Sequence, residues 1–111
     1  MRLLVIFAVS ALTGCAASLP KIQAKEPTAT YVSGRSVPSL TECLATSVSY
    51  IATPSVIPGE QRTVISFAYG PRTDVVITLR SEGGSTAIEI RTDLPYKARF
   101  RRAVEGCLTA T

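Results

Sequence analysis

Few of the residue types that carry out chemistry are present in this chain. None of its 111 residues is a histidine, so the commonest general base and the commonest metal ligand are both missing. Ser-His-Asp and Cys-His arrangements cannot be assembled without one. The eight carboxylates are scattered along the chain. Glu89 with Glu82 or Asp74 would be the nearest approach to a glycosidase pair, and no spacing argument brings them across a cleft. Gly83-Gly84 is not followed by the Lys-Ser/Thr and long helix of a phosphate-cradling loop. No catalytic, cofactor-binding or metal-ligating set is expected, and a non-enzymatic role is.

The first fifteen residues are more specific. Arg2 is a positive n-region, Leu3 to Leu12 form an apolar core interrupted by Ser10, and Leu12-Thr13-Gly14 ends in small residues before Cys15. The apolar run matches the ~7–15 residues of a signal h-region and falls short of the ~20 that span a bilayer. This resembles the signal peptide and lipobox of bacterial lipoproteins. A plain secretory signal, cut after Ala8-Val9-Ser10 or Ala11-Leu12-Thr13, fits less well, because a small residue directly precedes Cys15 and leucine stands three before it.

The resemblance implies that Cys15 is lipidated and becomes the first mature residue, that residues 1–14 are removed, and that the protein stays on a membrane, since stable anchoring takes more than one acyl chain. Ala16, where inner-membrane lipoproteins often carry Asp, implies the outer membrane, periplasmic face. With Cys15 committed to lipid in an exported protein, Cys43 and Cys107 are expected to form a disulfide. A metal site is disfavoured because neither cysteine has a CxxC neighbour; two buried free thiols are the other reading.

The body of the chain must then be positioned by a few elements. Residues 15–37, rich in Ala, Ser, Thr, Pro and Lys and broken by Pro20, Pro27 and Gly34, read as a lipidated N-terminus and flexible tether. Residues 38–111, roughly 75, make one small domain near the size at which a single core is marginal. Pro38 starts a helix with Ser39 and Glu42 spaced as a capping box and Leu40, Cys43, Leu44, Val48 and Ile51 on one face. Pro54, Pro58 and Gly59 read as loop. Period-two alternation predicts strands over Arg62–Tyr69, Asp74–Arg80 and Thr86–Arg91, with turns at Gly70–Thr73 and Glu82–Ser85. A last helix is expected to be capped by Thr92 or Asp93, with Pro95 in its first turn and Tyr96, Phe100, Ala103, Val104, Cys107 and Leu108 inward. The expected fold is an α+β, α-β-β-β-α two-layer sandwich: a three-stranded antiparallel sheet with two helices on one face and one disulfide. The other face, with Ser66, Ala68, Val76, Thr78, Ala87 and Glu89, would be solvated or receive a partner.

Charge is the remaining lead. The formal net charge is +4, and loss of Arg2 with the signal lowers it by one. Lys97, Arg99, Arg101 and Arg102 gather on the last helix. They read as a solvated face or as a surface for an anionic partner, such as acidic lipid, lipopolysaccharide or an acidic envelope protein. Nucleic acid is not expected, since the compartment is wrong and no aromatic residues interleave with the cations. Two function classes follow: an interaction or structural module of the cell envelope, or a small-ligand or inhibitor-type binding lipoprotein in the periplasm. Inhibition of a cationic lysozyme would sit poorly with a basic domain. Oligomeric state is not legible.

Overall fold

The computed structural model describes residues 19–50, 53–69, 72–93 and 96–109. In chain order the elements are α1 (Leu19–Gln23), β1 (Ala29–Ser33), α2 (Val37–Ser47), β2 (Thr53–Ile57), β3 (Arg62–Tyr69), β4 (Arg72–Glu82), β5 (Ser85–Thr92) and α3 (Ala98–Thr109). The strands form one five-stranded sheet, ordered β1-β5-β4-β3-β2, antiparallel throughout. This corrects the expected three-stranded sandwich: the meander β3-β4-β5 is present, but β1 and β2 extend it on either side and α1 is a third helix.

Both extra strands lie where sequence patterning is weakest. β2 holds Pro54 and is followed by Pro58-Gly59; proline cannot donate to a ladder and is tolerated on a sheet edge, which is where β2 sits. Most of its residues are exposed, so no apolar alternation marks it. β1, Ala-Thr-Tyr-Val-Ser, has β-forming residues but turns small or polar-tipped side chains toward the core. It lies inside the span expected to be tether, and its partner β5 is far along the chain, with Ala29 facing Ile90 and Ser33 facing Thr86.

The meander explains the core. Ile65 and Phe67 of β3, Val75, Ile77 and Leu79 of β4, and Ile88 and Ile90 of β5 all turn to one face. There they meet Leu40, Leu44 and Val48 from α2 and Phe100, Val104 and Cys107 from α3. The β4-β5 turn places Gly83 at φ 63°, a left-handed conformation that a side chain would strain. α2 begins three residues earlier than the expected capping box: Ser36 is the cap, its hydroxyl accepting from the Ser39 N–H, and Pro38 falls in the first turn. α3 begins at Ala98 rather than around Pro95, because Thr92 still belongs to β5 and the Asp93 N–H donates to the Asp74 carbonyl. Ile51, the Gly70-Pro71 part of the expected turn, and Pro95 lie outside the described residues, as do the n-region, apolar core and lipobox of residues 1–15.

The opposite face is not free either. α1 lays Ile22, 1% exposed, over Val64 and Val76, so Ser66, Val76 and Thr78 are buried rather than solvated. The element that covers this face is the chain's own N-terminal segment. It is held by Lys25 Nζ donating to the Thr92 carbonyl at 3.0 Å, by Arg91 Nε donating to the Lys25 carbonyl at 2.7 Å, and by the Thr28 N–H on the Ile90 carbonyl.

Candidate functional site

Cys43 on α2 and Cys107 on α3 form the disulfide, their Cα atoms 5.8 Å apart across a separation of 64 residues. Both face the seam between the helices because the three- and four-residue spacing of apolar positions turns them there. The bridge ties the first large helix to the last, as expected. Among the described residues no three of His, Cys, Asp and Glu are grouped to hold a metal, and no helix is long and apolar enough to cross a membrane.

Around the bridge, the segment expected to be tether fastens α3. Arg35 donates from Nη1 to the Cys107 carbonyl and from Nε and Nη2 to the Ser39 hydroxyl. Ser33 Oγ donates to the Leu108 carbonyl at 2.9 Å. Two carbonyls of α3's last turn, which have no intrahelical partner, are thus taken up by side chains from β1 and its exit loop. A guanidinium at a helix C-terminus is also well placed against the helix dipole. The Thr86 hydroxyl holds the Arg35 carbonyl at 2.7 Å, fixing the loop that aims the guanidinium.

The Tyr31 and Tyr96 hydroxyls meet at 2.7 Å, and Tyr31 donates onward to Glu105 at 3.3 Å. Tyr96 must then donate to Tyr31, which gives a relay ending on a carboxylate. Burial of Tyr96, then its bond to Tyr31, pushes its phenol well above the usual tyrosine range. Its ring also stacks edge-on against Phe100, centroids 5.3 Å apart.

The four basic residues singled out on the last helix share an end of α3 but not a face. Lys97 precedes the helix, and all four are exposed. Arg99 and Arg101 are two residues apart, roughly 200° around the axis, so they flank the buried stripe of Phe100, Val104 and Cys107 on opposite sides. Arg99 is taken up by Tyr50, its guanidinium carbon 4.2 Å from the ring centroid. No acid stands in α3's first turn, so these cations add to the positive end of the helix dipole where they weaken the helix.

Arg80 lies between Glu82 and Glu89, at 3.5 and 3.4 Å, and Asp74 is buried near the opposite end of β4. Arg91 Nη1 reaches Glu89 at 3.0 Å; its hydrogen bond, assisted by Arg80, holds the Glu89 carboxyl below the ordinary glutamate range despite partial burial. Sequence reasoning missed this arginine-rich group because its members come from two strands whose register sequence does not reveal. The outward positions of Arg80, Glu89 and Arg91 were the available signal.

The surface formed by the described residues is also indented at several places. One recess of about 410 Å³ lies at the hairpin end of the sheet, between Arg35–Pro38, Gly59–Thr63 and Ser81–Thr86. Another, about 110 Å³, lies on the back face and is lined by Gln23, Arg62, Thr78, Glu89 and Arg91. The N-terminus of α2, which borders the larger recess, is nearly spent: Pro38 has no N–H, the Ser39 N–H is capped by Ser36, and the Leu40 N–H binds the Ser36 carbonyl. Compared with protein-family models, characterised proteins and solved structures, the chain finds no match.

Proposed function

We propose that this chain is a membrane-anchored bacterial lipoprotein of the cell envelope, lipidated on Cys15, whose domain acts as a non-enzymatic interaction or structural module. The lipobox Leu12-Thr13-Gly14-Cys15 carries the reading. The Cys43–Cys107 disulfide supports it, because it leaves Cys15 as the one cysteine outside the bridge and is the kind of bond that persists in an oxidising compartment. Ala16 favours the outer membrane, periplasmic face.

The fold sharpens what such an anchor does. A tether running from Cys15 to Val37 could reach about 75 Å fully extended. With α1 starting at Leu19, the lipidated residue stands within about 14 Å of folded structure. The domain is then held against the bilayer rather than swung above it, with α1 and the sheet's back face nearest the lipid. The exposed cations around the start of α3 suit an anionic envelope partner.

The test is Cys15→Ser in the native host, with an alkyne-tagged fatty acid and alkaline washing of membranes. Loss of label and release into the soluble fraction are expected. Membrane retention equal to the unaltered protein would overturn the proposal.

A further inference from the structure

The back face of the sheet carries a charge that the fold itself does not balance. β3 and β4 set Arg62 directly opposite Arg80, and like charges so placed are destabilising. Glu89 spends one oxygen on Arg80 and the other on Arg91, and Glu82 also pairs with Arg80. Arg62 finds no acceptor among the described residues. Three arginines thus meet two carboxylates, and the surplus rests on Arg62.

Beside it lies the recess of about 110 Å³. Thr78 lines it, and its hydroxyl makes no hydrogen bond to another described residue. An unengaged hydroxyl beside an uncompensated guanidinium offers a second donor to an acceptor in the recess. The Gln23 amide, reaching in from α1, is also unengaged. The volume, roughly three or four liquid waters, suits one tetrahedral oxyanion and no larger group.

We infer that this recess binds a phosphate group. Arg62 grips two oxygens in the fork geometry that guanidinium offers; Thr78 Oγ1 and the Gln23 amide donate to the others. Glu89 does not repel the ligand strongly, since Arg80 and Arg91 already oppose its charge. The phosphate is that of a lipid headgroup or of a free phosphate compound. The headgroup source rests on the lipid-anchor reading, because α1, which supplies Gln23, is the element nearest Cys15; the oxyanion chemistry does not rest on it.

The full-length protein in detergent, titrated with inorganic phosphate and followed by thermal shift and amide NMR, should show a saturable response centred on Gln23, Arg62 and Thr78. Arg62→Gln and Thr78→Val should each weaken it at least tenfold. Lys21→Gln, which removes an equal charge outside the recess, should not. In the second arm, vesicles of phosphatidylcholine with and without phosphatidic acid are offered to the Cys15→Ser protein. Binding that needs phosphatidic acid and Arg62 assigns the headgroup; a phosphate response without it assigns a free phosphate compound. Absence of any saturable response in both arms, or an equal loss in Lys21→Gln, overturns the inference. Because the second arm uses unlipidated protein, failure of the anchor proposal leaves this result standing.

Discussion

Arg35 lies in a stretch whose composition reads as tether, yet its guanidinium closes α3 against α2. Arg35→Ala removes the donor to the Cys107 carbonyl and both donors to Ser39. Losing a charge-assisted bond to a helix-end carbonyl costs about 1.5–3 kcal/mol, and losing a cation from a helix C-terminus adds about 0.3–1. The expected loss is about 2–4 kcal/mol, a large share of the 5–10 a small domain holds. Guanidinium chloride unfolding with the disulfide intact should show a lower midpoint at unchanged slope. The melting temperature should fall by about 10–20 °C. Arg35→Lys keeps the charge but not the fork and should recover less than half. A loss below about 0.5 kcal/mol would refute the clamp and return residue 35 to a mobile connector.

Replacing Cys43 and Cys107 together by Ala releases a loop closed across 64 residues, and a loss of about 4 kcal/mol is expected in the same assay. Ile22→Ala should free α1 without unfolding the sheet, seen as faster amide exchange from Ile22 to Thr28 while Ile65 and Ile77 stay protected. Because the folded-state pKa of Tyr96 lies above its ordinary value of 10.0, its contribution is complete below that value and is lost as pH rises beyond it. Alkaline unfolding should therefore be shallower in Tyr96→Phe.

Where apolar side chains alternate, the fold was legible. β3 runs over Arg62–Tyr69 as patterning predicts, and β4 and β5 extend the predicted strands by one or two residues at each end. The inward faces of both large helices, and the cysteines on them, follow from three- and four-residue spacing. β1, β2 and α1 were not legible, because one buried isoleucine, or a strand whose outer edge needs no partner, leaves no periodic trace. Their place is decided by pairing with residues distant in sequence, a tertiary effect that local propensity does not carry. The same limit hid the back-face recess: Gln23, Arg62 and Thr78 share no motif and become neighbours through strand register and the docking of α1.

The strand order also sets a timetable. β2 to β5 each pair with a neighbour in sequence, so that part of the sheet can zip up locally. β1 cannot pair until β5 exists, some sixty residues later. A chain that emerges N-terminus first therefore carries β1 as an idle strand, and a finished meander shows an open β5 edge until β1 returns to it. At high local concentration, β1 from another molecule competes for that edge, with the Gly34 loop as the hinge. This is the geometry of strand exchange, and it makes the slowest step of folding the one most sensitive to crowding by other copies.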